Sequence, residues 1–252
     1  MKILRDKYLD EYNKKVIDIN KKINNFLLFS KDFNFDYLIE ASSVYSSNIE
    51  GNTINLNSFM NYKIQEKKIK TKDIEEIENL IKAYNFAGDN LLNQENFLKA
   101  HYIASKTLLI NSKRGVYRGD KVGVFGKNGL IYMAIEPELV KENMQNLFDD
   151  INFLLNSKLS NQEIFYYASF IHLTFVHIHP FADGNGRCAR LLEKWFIVSK
   201  LGKDFWKLQS EKFYKENREK YYENINLGVN YYELNYDNSL NFLYMLKESL
   251  DN

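Results

Sequence analysis

Apolar residues recur at three- and four-residue spacing through most of the chain, and this is the period of an amphipathic helix. The clearest segments of this kind are residues 35–51, 71–91, 96–110 and 136–156. In the last of them the apolar face is marked by Leu139, Met144, Leu147 and Ile151. Only two prolines, Pro137 and Pro180, interrupt the chain. The pattern therefore predicts a mainly α protein.

Two further helices flank a polar segment in the second half of the chain. Ser160 followed by Glu163 is a capping-box pattern, and the helix that it starts is apolar nearly all round. Such a helix belongs in the buried centre of a domain. The next helix ends near Gly202, and its apolar face consists of Cys188, Leu191, Leu192, Trp195 and Phe196. The motif "HPFADGNGRCAR" (179–190) is predicted to form the loop between these two core helices and, with its last residues, the first turn of the second helix.

One segment breaks the helical pattern. Residues 122–135, "VGVFGKNGLIYMAI", place two β-rich runs around a Gly-Lys-Asn-Gly turn at 126–129. An Asn-Gly turn between such runs is a strong signal for a β-hairpin. We therefore expect one hairpin, which is either a functional flap or a structural cover over a helix end.

Composition narrows the class of protein. The 252 residues, 45% of them hydrophobic, suffice for one large domain or for one domain with an added lobe. Lys and Arg number 34 against 33 Asp and Glu, so there is no basic excess for binding a nucleic-acid backbone. No apolar run reaches the roughly 20 residues that span a bilayer. We expect a cytoplasmic protein without nucleic-acid or membrane partners. Its single cysteine, Cys188, is expected to be a small buried helix residue.

The loop carries groups that suit a phosphate chain. Gly184, Asn185 and Gly186 stand at a helix start, where backbone N–H groups converge and the helix dipole is positive. Arg187 and Arg190 lie on neighbouring positions of the first turn and can grip further phosphate oxygens. Together these donors suit a polyphosphate better than a single phosphate.

The acidic and imidazole groups allow two interpretations. Asp183 is a hard oxygen ligand placed to hold Mg²⁺ against phosphates, and His179 has the near-neutral pKa expected of a general base. His172 lies on the apolar helix and is expected to be a satisfied core residue. In the alternative, His177, His179 and Asp183 bind a transition metal, and the protein is a metallohydrolase.

Residues 179–190 resemble the signature H-x-F-x-[DE]-G-N-G-R-x-x-R of Fic (Fido) domain proteins, and the likeness extends from about residue 95 to 230. The resemblance implies a mainly helical fold that transfers AMP from ATP to a Tyr, Ser or Thr hydroxyl. His179 would deprotonate that hydroxyl, and Asp183 would hold Mg²⁺ between the α- and β-phosphates. The phosphates would be bound by Gly184, Asn185, Gly186, Arg187 and Arg190. Among these, Arg187 would take the β-phosphate region and Arg190 the γ-phosphate.

The resemblance also implies functions for the hairpin and for a tyrosine pair further along the chain. The hairpin would be a flap over the nucleotide, and it would pair with the target by strand addition through Val124, Phe125 and Gly126. Tyr221 and Tyr222 resemble the stretch that lines the adenine pocket.

A second motif lies upstream, in "SSNIEG" (46–51). Ser46, Glu50 and Gly51 match [ST]-x-x-x-E-[GN], which resembles the inhibitory helix motif of many Fic proteins. A carboxylate at Glu50 that pairs with Arg190 would occupy the arginine meant for the γ-phosphate, so ATP would bind unproductively. Because the motif precedes the Fic core, the chain resembles the subclass with an N-terminal inhibitory helix.

These observations predict a self-inhibited protein adenylyltransferase. Residues 1–90 would form an N-terminal helical region that carries the inhibitory helix (about 35–51), and residues 91–252 the Fic core with its C-terminal helices. Residues 1–30 are expected to form a separate charged helix. The target is a protein hydroxyl, which includes the chain's own, and a homodimer is left open. The alternatives are removal of AMP with Glu50 and a nucleotide-binding regulatory module without catalysis.

Overall fold

The computed structural model describes residues 1–32, 34–65, 70–126 and 129–251. Within these ranges the chain forms twelve α-helices and one two-stranded sheet. The first six helices are α1 (Leu9–Lys15), α2 (Ile19–Phe29), α3 (Phe35–Ile49), α4 (Leu56–Ile64), α5 (Lys72–Asp89) and α6 (Gln94–Ala104). After the strands β1 (Gly123–Gly126) and β2 (Gly129–Met133) follow α7 (Pro137–Asn156), α8 (Asn161–Ile178), α9 (Asn185–Leu201), α10 (Ser210–Glu216), α11 (Arg218–Ile225) and α12 (Leu240–Glu248).

Helix α8 is the centre of the molecule, as its all-round apolar sequence predicts. Its residues from 164 to 178 are all buried, and α7, α9 and α12 pack around it. The predicted capping box is present, since Ser160 accepts the Glu163 N–H and the Glu163 carboxylate accepts the Ser160 N–H. Helix α9 ends at Gly202, whose φ of 101° is left-handed. The mainly α fold is thereby confirmed.

The predicted hairpin is also confirmed. β1 and β2 pair antiparallel with Gly123 opposite Met133, and a bulge follows Val124. The predicted turn residues 127 and 128 lie outside the described part of the chain. On the far side of β2, the Met133 N–H donates to the Val229 carbonyl at 2.9 Å. Among the described residues no strand pairs with the outer edge of β1, so this edge can accept a further strand.

Three expectations about the helices were wrong in detail. Helix α6 ends at Ala104 instead of 110, because the chain tightens at Ser105, whose carbonyl accepts the N–H groups of residues 108 and 109. Leu139 is 37% exposed, and the buried stripe of α7 starts at Val140. Residues 1–30 form two helices that pack on the main core instead of one separate helix. The buried Asp150 side chain binds this segment by accepting three consecutive backbone N–H groups, from residues 2 to 4.

No helix in the described ranges is long and apolar enough to cross a membrane. Cys188 is 1% exposed, and burial raises the pKa of its thiol to about 12. The expectation of a buried helix cysteine is confirmed.

A buried ion pair joins α9 to α10 beside α3. The Lys194 ammonium donates to Glu211 Oε2 at 2.6 Å and to Ser42 Oγ at 2.8 Å, and both charged side chains are almost without exposed surface. Burial lowers the pKa of Lys194, and the attraction of Glu211 opposes that effect.

Breaking this pair from one side leaves a buried charge without compensation. We expect Lys194→Met to lower the free energy of unfolding by about 3–5 kcal/mol. The double variant Lys194→Met/Glu211→Leu should lose less, because it removes both charges. Urea denaturation measures the two losses, and a double variant as unstable as the single one would contradict the assignment. Lys7→Met is the matched control, because the Lys7–Asp237 pair lies at the surface.

Candidate active site

The loop between α8 and α9 is bounded by two left-handed residues. His179 ends α8 with φ 51°, and it is the one non-glycine residue with positive φ among those described. Gly184 caps the start of α9 with φ 84°. A non-glycine residue in this region costs free energy and is frequent at functional sites. The backbone therefore turns sharply at both ends of residues 179–184.

Two contacts close the loop on itself and on the core. The Phe181 ring is fully buried and stacks on the His101 ring, with centroids 3.6 Å apart. The Asn185 side chain accepts the Phe181 N–H at 2.9 Å and donates to the Phe181 carbonyl at 2.8 Å. Asn185 was expected to cradle phosphate, but its amide closes the loop instead. Its backbone N–H is the group that remains for an anion.

Sequence reasoning missed two residues that hold the loop. His101 Nδ1 accepts the Gly115 N–H at 2.9 Å, so its Nε2–H donates to the Asp183 carbonyl at 3.1 Å. Burial lowers the pKa of His101 to about 4, which keeps this tautomer neutral. Arg118 donates from Nε to the His179 carbonyl at 2.7 Å. The one sequence signal for His101 is its place on the apolar face of the 96–110 segment, and Arg118 follows no motif.

The His179 imidazole is in the tautomer that leaves Nε2 able to accept a proton. Its Nδ1 lies 3.2 Å from the Val176 carbonyl, which can only accept, so the proton is on Nδ1 and the lone pair is on Nε2. Burial lowers the pKa of His179, and the positive charge of Arg118 adds to this effect. At neutral pH the ring is therefore a neutral proton acceptor.

One cavity of about 630 Å³ brings the separate predicted elements together. Its wall includes His179 from the loop, Gly186 from the first turn of α9, and Glu50 from the end of α3. The predicted flap and adenine-pocket residues line it as well, namely Val124, Phe125, Gly126, Tyr221 and Tyr222. The cavity is mostly apolar and has a few polar groups, which is typical of a small-molecule site.

Glu50 and Ser46 meet Arg190 at the edge of this cavity. Arg190 is fully buried, and its Nη2 donates to Glu50 Oε1 at 2.7 Å and to the Ser46 carbonyl at 2.9 Å. Its Nε donates to Ser46 Oγ at 2.9 Å. Burial by itself would raise the pKa of Glu50, but the charges of Arg190 and Arg187 lower it below the ordinary value. Glu50 is therefore a carboxylate at neutral pH.

Gly186 lies directly beneath the Glu50 carboxylate. A Cβ on Gly186 would lie 2.1 Å from Glu50 Oε1, so any larger residue here would force that carboxylate to shift. The carboxylate thus lies directly over the helix start that was predicted to bind phosphate. Gly51, just after Glu50, has φ 100° and lets the chain turn away from α3.

A chain of buried hydrogen bonds continues behind Arg190. Its Nη1 donates to the Tyr221 hydroxyl at 3.1 Å, and that hydroxyl lies 2.9 Å from His172 Nε2. His172 Nδ1 lies 2.8 Å from Glu193 Oε2, so both ring nitrogens of this residue have a hydrogen-bond partner. The expectation that His172 is a satisfied core residue is confirmed.

The metallohydrolase alternative is not supported by this geometry. His177 is buried, and its two ring nitrogens contact the Tyr236 hydroxyl at 3.0 Å and the Ile225 carbonyl at 2.8 Å. No group of three or more His, Cys, Asp or Glu side chains suited to a metal occurs in the described ranges. Mg²⁺ differs, because it is commonly bound by one or two carboxylates together with phosphate oxygens. Asp183, with a half-exposed carboxylate beside the loop, fits that requirement.

Comparisons with known proteins agree with this arrangement. Residues 91–197 match the model of the Fic/DOC family. The chain is 28% identical over 192 residues to "Protein adenylyltransferase Fic" of Aedes aegypti, a match that covers 73% of this chain and 36% of the relative. It is 30% identical over 157 residues to the protein of the same name from Drosophila mojavensis, covering 61% of this chain and 30% of that protein. The chain thus spans about a third of the length of these relatives.

A solved structure shows the same fold. A Fic family protein from Desulfovibrio desulfuricans G20 superposes with a TM-score of 0.80 at 21% sequence identity. The match covers 99% of this chain and 75% of that protein. The likeness therefore includes the helices before residue 91 as well as the matched family segment.

Proposed function

This chain is a Fic domain protein, and from that premise we propose that it transfers AMP from ATP to a hydroxyl group of a protein. The observation that carries the proposal is the neutral His179, whose Nε2 lone pair is free to accept a proton beside the cavity. A general base of this kind accelerates transfer by roughly 10²–10⁴-fold.

In the proposed reaction, Nε2 of His179 takes the proton of the target hydroxyl. The hydroxyl oxygen forms a bond to the α-phosphorus of ATP, and the bond from that phosphorus to the bridging oxygen of the β-phosphate breaks. Pyrophosphate leaves, and the AMP group stays on the protein. The N–H groups at the start of α9 and the two arginines stabilise the negative charge of the phosphates.

Asp183 is the residue that would hold Mg²⁺, together with phosphate oxygens of the nucleotide. Bound there, the ion would neutralise charge on the α- and β-phosphates. His101 supports this role because it fixes the backbone carbonyl of Asp183 through a hydrogen bond of 3.1 Å.

We further propose that Glu50 inhibits the wild-type protein. Its carboxylate already uses an N–H of Arg190 and lies over Gly186, so the γ-phosphate of ATP meets both an occupied arginine and a negative charge. Arg218 and Tyr222 of α11 donate to the Ile49 carbonyl at 2.9 and 3.1 Å and hold the end of α3 in place. The N-terminal region 1–90 would then be the regulatory part of the chain.

The open edge of β1 suits the binding of an extended target segment. Val124, Phe125 and Gly126 line the cavity, and backbone hydrogen bonds from this edge place a hydroxyl with little demand on the target's sequence. Phe125 is 72% exposed, which gives the target an apolar contact at the same place.

The reaction products test the proposal against its alternatives. AMP transfer yields pyrophosphate and modified protein in equal amounts. Removal of AMP, for which Glu50 would activate water, instead yields free AMP from a modified protein. A regulatory module binds the nucleotide and yields neither. Nucleotide analysis of wild type, which keeps Glu50, and of the Glu50→Gly variant, each with a cell lysate, distinguishes the three. ATP that Glu50→Gly binds but leaves unchanged would contradict transfer.

The pH dependence follows from the lowered pKa of His179. A lowered pKa means that the imidazole stays neutral, and thus active, below its ordinary value of about 6.5. Glu50 opposes this lowering, so the Glu50→Gly variant should have an even lower pKa at His179. We expect kcat/KM of that variant to be flat from pH 8 down to about 6.5 and to fall only at more acidic pH. The assignment of His179 would be contradicted if kcat/KM fell to half of its maximum at a pH above about 6.5 while circular dichroism showed that the protein stayed folded.

A further inference from the structure

Arg187 is held by a carboxylate that belongs to neither of the two motifs. Glu76 lies on α5, and its Oε1 accepts from Arg187 Nε at 3.0 Å and from Nη2 at 2.8 Å. The side chain of Arg187 is 8% exposed and that of Glu76 is 10% exposed. The two residues are therefore a nearly dry pair, in which each charge depends on the other.

The contact fixes the direction of the guanidinium group. This group is planar, and its five N–H donors have a fixed arrangement, so bonds at Nε and Nη2 set both its plane and its rotation. The edge that carries Nη1 then remains for another partner. Nη1 lies 4.0 Å from Asp183 Oδ1, so this edge faces the carboxylate beside the phosphate-binding loop.

Glu50 contacts Arg190 from the side of the cavity, whereas Glu76 contacts Arg187 from outside the cavity wall. Glu50 lines the cavity and covers Gly186, so it occupies space that a nucleotide needs. Glu76 is buried on α5 and contacts Arg187 at Nε, the end of the guanidinium nearest the backbone of α9. A carboxylate placed there supports the arginine and leaves the outer edge free.

A cation in the first turn of a helix also needs compensation. The dipole of α9 is positive at this end and disfavours Arg187. Glu76 supplies a full negative charge at hydrogen-bond distance, which keeps the guanidinium in place without a nucleotide.

We propose that Glu76 is the positioning residue for Arg187: it presents the Nη1 edge of the guanidinium to the β-phosphate of a nucleoside di- or triphosphate. The inference rests on the proposed function, because it assumes that phosphates bind at this loop. It assigns to α5 a part in substrate binding, in addition to the inhibitory part proposed for α3.

A series of nucleotides tests this inference. Isothermal titration calorimetry would measure the binding of AMP, ADP and ATP to Glu50→Gly, with and without Glu76→Gln. Glutamine keeps the shape of the side chain but removes the charge. We expect the affinity for ADP and ATP to fall about tenfold, since a charge-assisted contact is weakened, while the affinity for AMP stays within about twofold. Glu75→Gln is the matched control, because Glu75 is the neighbouring residue on the same helix and pairs at the surface with Lys106.

Two further variants keep the result interpretable if the buried arginine destabilises the Glu76→Gln protein. Arg187→Gln and Glu76→Gln/Arg187→Gln both lack the buried cation. If Glu76 acts through Arg187, the double variant binds ADP as weakly as Arg187→Gln and no more weakly. A double variant that binds ADP markedly more weakly than Arg187→Gln would overturn the inference.

The remaining outcomes separate the inference from the function on which it rests. The positioning role would be overturned if Glu76→Gln bound all three nucleotides as tightly as its parent does. It would also be overturned if Glu76→Gln bound ATP more tightly, because Glu76 would then be a second inhibitor. An equal loss for AMP and ADP would also overturn it, because the effect would not depend on the β-phosphate. Failure of Glu50→Gly itself to bind any nucleotide would instead contradict the proposed function.

Discussion

Glu50→Gly is expected to raise the rate of AMP transfer about 10- to 100-fold, since a charge-assisted hydrogen bond contributes about 1.5–3 kcal/mol. The substitution frees Nη2 of Arg190 and removes the carboxylate that lies over Gly186. Arg190 keeps its bonds to Ser46 and Tyr221, so it stays in place for the contact with the γ-phosphate that we propose. The initial rate of label incorporation from ATP into a lysate measures the effect.

Two glutamine variants show whether charge at this one position is responsible. Glu50→Gln keeps a hydrogen-bonding side chain without its charge, and it should have a rate between wild type and Glu50→Gly. Glu40→Gln removes a carboxylate of the same helix, α3, that pairs with Lys63 and does not line the cavity, so it should behave like wild type. Glu50→Gly that binds ATP but transfers no faster than wild type would show that Glu50 is not an inhibitor.

Loss of the base should have the largest effect of all. In the Glu50→Gly background, His179→Ala is expected to lower kcat by about 10²–10⁴-fold, the usual contribution of a general base. The affinity for ATP should change by no more than about threefold, because in the proposed reaction the imidazole contacts the target hydroxyl and not the phosphate chain. Single-turnover rates and calorimetry measure the two quantities separately.

A second substitution at this position separates chemistry from loop structure. His179→Asn keeps a side-chain N–H that can donate to the Val176 carbonyl, as Nδ1 of the histidine does, but it has no equivalent of Nε2. It should be as inactive as His179→Ala. If His179→Asn kept most of the parent's rate, the base would have to be another group.

Much of the fold and part of the site could be predicted from local sequence. Helices α7, α8 and α9 have long apolar stripes and clear start or stop signals, so their positions follow from periodicity and caps. The contact between Glu50 and Arg190 joins residues 140 positions apart, yet it could be anticipated because each residue lies in a motif of its own.

Other parts of the site depend on tertiary packing and have no local signal. Four acidic side chains, Asp73, Glu75, Glu76 and Glu78, are close together on α5. Only the packing of that helix against α9 selects Glu76 as the partner of Arg187. His101 and Arg118 hold the loop through backbone carbonyls, which every residue offers equally. Asn185 was placed among the phosphate-binding residues because of its motif, but nothing local indicates that its side-chain amide closes the loop on Phe181.

The most direct test of the central claim uses ATP labelled either on the α- or on the γ-phosphate. Wild type, Glu50→Gly and Glu50→Gly/His179→Ala are each incubated with a lysate, and protein-bound label is counted. A self-inhibited AMP transferase gives label from the α-phosphate alone, strongly in Glu50→Gly and weakly in the other two. Label from the γ-phosphate, or no label in any of the three proteins, would contradict this account.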